Sequence, residues 1–248
     1  MNLVIDIGNS STKYAIFKEE EMLAAYTIDN GNLLDIIAYA MAVDNIKAVL
    51  LSAVISNFLT LKLITELHKK YFFIELNATT PLPLKNLYET PNTLGMDRLA
   101  VVVGANSIFK NNNVLVIDAG TCIKYDFINQ QNEYLGGGIS LGIDMRFKAL
   151  HNYTDKLPLI MPETFNELIG RNTRESILSG VQQGILAEVS GIVAVYEAKF
   201  EHLKVVLTGG SMRFFESHLK NSIFARPFIL LNGLNIILNH NRILKNHD

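Results

Sequence analysis

Two short stretches of the sequence share residue types that can bind phosphate and a cation. Residues 2–17 read NLVIDIGNSSTKYAIF, and residues 114–128 read VLVIDAGTCIKYDFI. Each is an apolar run followed by Asp, one further residue, Gly, hydroxyl-bearing residues and Lys-Tyr. Backbone N–H groups and hydroxyls suit phosphate oxygens, and an Asp suits a cation beside them. One Asp-x-Gly alone is an ordinary hairpin tip, but its repetition favours a phosphate site.

Each stretch predicts a strand, a tight turn and a second strand, which together make a hairpin with a polar tip. The apolar runs end at Asp6 and Asp118, and the Gly that follows permits a sharp turn. The first copy has one more residue between its Asp and Lys than the second. Two such hairpins predict two similar lobes, 1–113 and 114–248, facing each other across a cleft.

Several motifs carry a resemblance to a known superfamily and, within it, to one family. Three stretches of this chain resemble loops of the acetate and sugar kinase, heat-shock ATPase and actin superfamily. DIGNSSTK (6–13) and DAGTC (118–122) resemble its two phosphate loops, and VVLTGG (205–210) resembles its adenosine loop. Three further stretches resemble motifs of type III pantothenate kinases: GMDR (95–98), GGGISLGIDMRFKAL (136–150) and IGRNTRESILSG (169–180). The resemblance extends from residue 3 to about residue 210. Leu141 stands where the family usually has Pro, so the geometry of that loop is an open question.

The resemblance implies an α/β fold. It has duplicated ribonuclease H-like domains with a central cleft for ATP, and mixed five-stranded sheets flanked by helices. It implies ATP-dependent phosphorylation of pantothenate to 4′-phosphopantothenate, the first step of coenzyme A biosynthesis. It also implies Mg²⁺, a monovalent cation (K⁺ or NH₄⁺) and a homodimer whose contacts help complete the substrate pocket. Two alternatives stay open: a kinase for another small hydroxyacid or sugar, and a nucleotide-binding regulator of actin-like fold.

Asp97 begins an apolar run that predicts a helix, where a first-turn Asp is favoured by the helix dipole alone. The resemblance implies that Asp97 is the general base, accepting a proton from a primary alcohol as it attacks the γ-phosphate. Arg98 could bind a carboxylate through two parallel hydrogen bonds, or be a solvated surface arginine. The resemblance assigns substrate binding to Tyr88, Gly95, Met96, Asp97, Arg98 and Thr173. Tyr88 could equally anchor the Pro-rich loop, and Thr173 could be a helix N-cap with Glu175 nearby.

The resemblance also assigns the nucleotide and cation contacts. Asp6 would face Mg²⁺ through water, and Asp118 would hold the monovalent cation. The ATP contacts would be Gly8, Asn9, Ser10, Ser11, Thr12, Lys13, Thr121, Gly209 and Gly210. Lys13 could instead be a solvated strand lysine, and Gly209 could belong to a plain strand-to-helix turn. Cys122 is interpreted as a small hydrophobe with no catalytic role, and the glycines at 136–138 argue against a strand there.

Composition limits the remaining function classes. The chain has 248 residues, a net charge of −2 and no Lys/Arg cluster, which argues against nucleic acid and anionic membranes as partners. One cysteine and no apolar run near the ~18 residues of a membrane helix favour a cytoplasmic protein, and we expect no signal peptide. The apolar segments 97–109 and 173–195 are a further reason to expect a homodimer. Residues 77–91 read as an irregular connection and 233–248 as a closing amphipathic helix with a polar tail.

Overall fold

The predicted strands form two β-sheets in the computed structural model, which describes residues 1–219 and 223–245. The chain divides into two compact units. The first contains residues 1–110, 132–135 and the C-terminal residues from 228 onward; the second contains 111–131 and 136–227. The predicted division into lobes 1–113 and 114–248 follows the repeated motif and stays a prediction. The compact units differ from it, because residues 228–245 belong to the first unit.

The described chain contains eleven strands and seven α-helices. Residues 1–110 form β1 (Asn2–Ile7), β2 (Ser11–Lys18), β3 (Glu21–Asp29), α1 (Asp35–Ala42), β4 (Ala48–Ala53), α2 (Phe58–Lys70), β5 (Phe72–Glu75), β6 (Lys85–Asn86) and α3 (Met96–Ile108). The later residues form β7 (Val114–Ala119), β8 (Cys122–Ile128), β9 (Glu133–Leu141), α4 (Ile143–Asn152), α5 (Thr173–Lys199), β10 (Lys204–Thr208), α6 (Met212–Glu216), β11 (Ile223–Ala225) and α7 (Ile229–Lys245). Short 3-10 turns lie at Asn30–Asn32 and Pro91–Thr93.

The two sheets repeat one topology. The first has the order β3-β2-β1-β4-β5, and the second has the order β11-β10-β7-β8-β9-β6. In each, the first strand of the hairpin pairs antiparallel with the next strand and parallel with a later one, β4 or β10. The α/β class, the duplication and the mixed sheets flanked by helices are confirmed. The second sheet has six strands instead of five, because β6 pairs with the first residues of β9.

Both faces of the first sheet are covered, which explains why β1 is apolar at almost every position. Leu3 and Ile5 face a core that includes residues of α1 and α2. Val4 faces the opposite core, which includes residues of α3 and α7. A strand buried on both faces has a continuous apolar run instead of an alternating one. The side chain of Asp6, at the end of this run, is therefore a polar group in an apolar strand.

Helix α3 packs closely against α7 within the first unit. Gly104 and Gly233 lie at this contact, where a Cβ added to Gly233 would come 1.8 Å from the carbonyl oxygen of Ala100. The residues of α3 from Arg98 to Ala105 are buried in the chain itself. The apolar composition of this helix is therefore explained without a partner subunit, which removes one of the two segments that suggested a homodimer.

The C-terminal helix is confirmed and longer than predicted, since α7 begins at Ile229 and buries Leu231, Leu234 and Ile237. The predicted polar tail at 246–248 lies outside the described residues. Helix α5 is long and apolar enough, by length and composition alone, to cross a membrane. The core helices of soluble proteins pass the same test, and α5 contributes Ile177, Leu178 and other residues to the core of the second unit.

The prediction against a strand at residues 136–138 is wrong, because β9 runs through all three glycines. Gly136 has a φ of 101°, which side chains other than Gly rarely adopt. A Cβ on Gly137 would lie 1.5 Å from the carbonyl oxygen of Tyr125. These glycines therefore allow β9 to approach β8 more closely than side chains permit. Residues 77–91 are irregular as predicted, apart from β6.

Candidate active site

Each unit carries one polar hairpin tip at the end of its first strand. The first tip consists of residues 8–10, and in the β1–β2 ladder that leads to it Asp6 lies directly opposite Lys13. The second tip consists of residues 120–121, and in the β7–β8 ladder that leads to it Asp118 lies directly opposite Lys124. The Asp and Lys of the repeated motif are thus cross-strand partners in both copies. The second tip is one residue shorter, as the sequences predict.

A side chain from outside the hairpin holds the first tip. The Gly8 N–H donates to the carbonyl oxygen of Ser11 at 3.1 Å and closes the turn. Thr12 is fully buried, and its hydroxyl donates to Oδ1 of Asn30 at 2.7 Å. The Asn30 amide also donates to the carbonyl oxygens of Gly8, at 2.9 Å, and Asn9, at 3.3 Å. The residues exposed at the tip are Asn9 and Ser10.

A second buried polar side chain lies beside Asp6 on the neighbouring strand. Ser52 of β4 is the register partner of Asp6, and both side chains are buried. The Ser52 hydroxyl has no hydrogen-bond partner within the described part of the chain. In a parallel pair, register partners project to the same face of the sheet. A polar pair therefore ends these two otherwise apolar strands.

The second tip is held by backbone packing. The Gly120 N–H donates to the carbonyl oxygen of Cys122 at 3.0 Å, and Thr121 is exposed. A Cβ on Gly142 would lie 2.2 Å from the Thr121 carbonyl oxygen, and one on Gly209 would lie 2.5 Å from Ala119. Gly209 also has a φ of 97°. The turn after β9 therefore packs against this tip, and the loop after β10 packs against Ala119 just before it; only glycine fits at either contact.

The turn at Leu141, where the related family usually has Pro, is held by hydrogen bonds. The Gly142 N–H donates to the Thr121 carbonyl oxygen at 3.2 Å. The Arg146 Nε donates to the Leu141 carbonyl oxygen at 3.0 Å. The Arg146 guanidinium forms a salt bridge with Glu188, whose other carboxylate oxygen accepts the Tyr125 hydroxyl at 3.0 Å. These contacts define the geometry of the Leu141 turn in this chain.

Both aspartates carry carboxylate oxygens of the kind that a cation site needs. Asp118 accepts a hydrogen bond from the Lys124 ammonium at 2.9 Å, so one positive charge already lies beside it. Asp6 is a buried carboxylate at a strand end, the type of ligand that Mg²⁺ uses singly or in pairs with phosphate and water. No group of three or more His, Cys, Asp or Glu side chains among the described residues could hold a metal ion. A cation at either aspartate would therefore need further oxygen ligands from phosphate or water.

The predicted substrate residues of the first unit cluster at the start of α3. Asp97 lies in the first turn of α3, and a Cβ on Gly95 would come 2.5 Å from its Oδ1. Arg98 is only 5% exposed, and its guanidinium carbon lies 5.6 Å from the centre of the Tyr88 ring. Tyr88 in turn stacks on buried Tyr134 at 6.2 Å. The alternative of a solvated surface arginine is therefore wrong for Arg98, and Tyr88 serves as its aromatic neighbour.

Thr173 lies apart from that cluster in sequence and lines a cavity within the second unit. The cavity has a volume of about 860 Å³ and is mainly apolar, and Arg146 lines it too. The N-cap of α5 is Asn172, whose side chain accepts the Glu175 N–H at 3.0 Å. The capping alternative for Thr173 is therefore wrong by one residue, because the preceding asparagine performs that role.

Sequence reasoning missed four residues that support these sites: Asn30, Ser52, Arg146 and Glu188. Ser52 carried a signal, since it is a polar residue at the end of an apolar strand, as Asp6 is. Asn30 carried only a turn signal, and its contact with Thr12 depends on the β2–β3 register. Nothing in the sequence pairs Arg146 with Glu188, which lies 42 residues further along the chain.

Comparison with protein families decides among the kinase classes that the tips alone leave open. The family model of type III pantothenate kinase matches residues 2–195. The chain belongs to the type III pantothenate kinase family. A type III pantothenate kinase of Christiangramia forsetii is 43% identical over 98% of this chain and 99% of its own length. One of Bacteroides fragilis is 42% identical over 97% of this chain and 98% of its own length.

Solved structures support the fold at lower identity. The activator of 2-hydroxyisocaproyl-CoA dehydratase from Clostridium difficile, with bound ADPNP, has a TM-score of 0.57 and 13% identity over 100% of this chain and 97% of that one. A ROK family glucokinase from Streptomyces griseus has a TM-score of 0.53 and 12% identity over 98% of this chain and 99% of that one. Both structures therefore support the same fold for this chain.

Proposed function

We propose that this chain transfers the γ-phosphoryl group of ATP to pantothenate, giving ADP and 4′-phosphopantothenate at the first step of coenzyme A biosynthesis. The observation that carries the proposal is the buried Arg98 beside Asp97 in a chain of this family. A buried guanidinium stacked on an aromatic ring is suited to bind a carboxylate through two parallel hydrogen bonds. Pantothenate offers both a carboxylate for Arg98 and a primary alcohol for Asp97.

Asp97 is the proposed general base. Its carboxylate takes the proton of the primary alcohol while the alcohol oxygen forms a bond to the γ-phosphorus and the bond to the bridging oxygen breaks. The electron pair of that bond leaves on ADP. Gly95 leaves the space that the Asp97 carboxylate occupies at the helix start. Tyr88, Met96 and Thr173 are proposed to complete the binding of pantothenate.

Each unit is proposed to carry nucleotide contacts of its own. In the first unit, the phosphate contacts are Gly8, the backbone and side chains of residues 9–11, and Lys13. In the second unit, the Thr121 hydroxyl binds phosphate, and the loop of Gly209 and Gly210 lies against the adenosine. Mg²⁺ held by Asp6 through water would neutralise charge on the phosphate oxygens. Asp118 is proposed for a monovalent cation, although Lys124 already supplies one positive charge there.

The decisive experiment compares wild type and Asp97→Asn for ADP release from ATP with pantothenate, Mg²⁺ and K⁺. Loss of a general base lowers kcat by about 10²–10⁴-fold, and the KM for ATP should not change. Asp35→Asn is the matched control, because Asp35 is also a first-turn aspartate, on α1. A helix-dipole role would affect both variants alike, by roughly 0.3–1 kcal/mol of stability.

The possible outcomes separate the parts of the proposal. A wild-type chain that releases no ADP with pantothenate, but does so with another hydroxyacid or a sugar, would refute the substrate assignment. A chain that binds nucleotide and phosphorylates none of these acceptors would favour a regulator. An Asp97→Asn variant with normal turnover would refute the assignment of the base alone.

We also propose a homodimer. Support comes from residues 153–169, where Tyr153, Met161, Leu168 and Ile169 are exposed although apolar. Burial of such side chains against a second copy would remove apolar surface from water, at roughly 25 cal/mol per Å². The segment ends four residues before Thr173, so a second copy bound there would lie close to this proposed pantothenate contact.

A further inference from the structure

Asn30 is placed by the sheet to reach the first tip. In the β2–β3 ladder Ser11 lies opposite Asp29, so the residue that follows β3 comes beside the turn. Its side chain accepts from the buried Thr12 hydroxyl and donates to the carbonyl oxygens of Gly8 and Asn9. One amide therefore connects both ends of the tip.

These hydrogen bonds fix the direction of the backbone N–H groups at the tip. In a planar trans peptide the carbonyl and the following N–H point in opposite directions. Carbonyls of Gly8 and Asn9 that point toward Asn30 thus direct the N–H groups of Asn9 and Ser10 away from it. Neither N–H forms a hydrogen bond within residues 1–219 and 223–245, and both residues are exposed. Successive N–H groups that point the same way form an anion-binding nest.

We propose that Asn30 is a positioning residue that orients the Asn9 and Ser10 amides toward the nucleotide phosphates. This inference rests on the proposed function. It changes the role of Thr12, which supports Asn30 instead of touching phosphate. Thr12 is fully buried and its hydroxyl proton is already donated to Asn30, so it has no proton left for a phosphate oxygen.

The test measures binding of a nonhydrolysable ATP analogue with Mg²⁺, by calorimetry and without pantothenate. Asn30→Ala removes all three hydrogen bonds, and Asn30→Asp keeps the acceptor for Thr12 but loses both donors. Each lost bond contributes a modest net free energy, so we expect binding about 10-fold to 100-fold weaker for both variants. Asn32→Asp is the matched control, since it adds the same charge at an exposed position two residues away and should stay within about 2-fold of wild type.

Thr12 separates positioning from direct contact. Thr12→Ser keeps the hydroxyl and should bind like wild type, whereas Thr12→Val should bind several-fold more weakly. In the Thr12→Val/Asn30→Ala double variant the two losses should not add, because both act through one hydrogen-bond network. In turnover assays of the Asn30 variants, the KM for ATP should rise, while the KM for pantothenate should stay unchanged. A merely structural role would lower Tm in the Asn30 variants without changing nucleotide binding.

The results that would overturn the inference are distinct from those that affect the proposed function. Analogue binding by Asn30→Ala within 2-fold of wild type refutes the inference alone, as do fully additive losses at Thr12 and Asn30. Wild type that binds the analogue but does not phosphorylate pantothenate refutes the substrate assignment and leaves the inference intact. Wild type that does not bind the analogue refutes both.

Discussion

The contact between α3 and α7 makes a strong prediction about Gly233→Ala. In an open helix this change stabilises a protein by roughly 1 kcal/mol, because Ala is the better helix former. At Gly233 the new Cβ would lie 1.8 Å from the carbonyl oxygen of Ala100 and 3.0 Å from the backbone nitrogen of Gly104. Both neighbours are helical backbone, so the two helices must move apart. Overpacking of this kind costs about 1–3 kcal/mol or more, and the upper end applies here.

The net expectation is a loss of about 2 kcal/mol in the free energy of unfolding, measured by urea titration. For a chain of this size that corresponds to a fall in Tm of about 4–8 °C. Gly104→Ala should behave similarly, since its Cβ would lie 2.3 Å from the Ile229 carbonyl oxygen. Gly191→Ala is the matched control, because Gly191 is exposed on α5 with nothing within 4 Å of the added carbon. It should raise the free energy of unfolding by up to about 1 kcal/mol.

The signs of the two changes in the free energy of unfolding test whether α3 and α7 touch through their backbones. If Gly233→Ala and Gly191→Ala raise stability alike, the helices do not touch through their backbones and the account of the first unit's core is wrong. A measured loss for Gly191→Ala together with no loss for Gly233→Ala would have the same meaning.

Two further predictions concern the second unit. Burial raises the pKa of Glu188, but hydrogen bonds from Arg146, Ser140 and Tyr125 outweigh it and hold the pKa below its ordinary value of 4.5. The resulting stability is present above pH 4.5 and lost as the pH falls through the lowered pKa, so Glu188→Gln should flatten the acid side of the plot of unfolding free energy against pH; an unchanged slope would contradict this. Light scattering at micromolar concentration should give twice the 27.7 kDa chain mass, and Met161→Asp and Leu168→Asp should shift it toward one chain mass; a monomeric wild type would refute the dimer.

The parts of the fold set by local pattern could be predicted from the sequence. Both hairpins, the helix that follows Asp97 and the strand before Gly209 depend on apolar runs and turn residues a few positions apart. Their repetition indicated the duplicated sheets, since one motif written twice requires two similar frameworks. The single extra residue in the first tip was also visible in the sequence.

The parts of the fold and of the site that depend on contacts distant in sequence could not be predicted. The glycines at 136–138 suggested a break, but β9 needs them because its backbone lies against Tyr125. The surface alternative for Arg98 fails because Tyr88 and the packing of α3 bury this side chain, and neither contact is visible in the local sequence. The capping alternative for Thr173 fails because the neighbouring Asn172 is the residue that accepts the helix N–H.

The two copies of the hairpin share a register but are held in place by different means, and this has consequences for mutation. The second tip is held by backbone on backbone, at Gly142 and Gly209, where any added Cβ would collide with it. The first tip is held by the side-chain amide of Asn30, and Ala or Asp at this position is no larger than Asn. Substitutions at the second tip should therefore affect folding and nucleotide binding together. Substitutions at Asn30 should separate them, which makes the first tip the better place to measure what amide orientation contributes to phosphate binding.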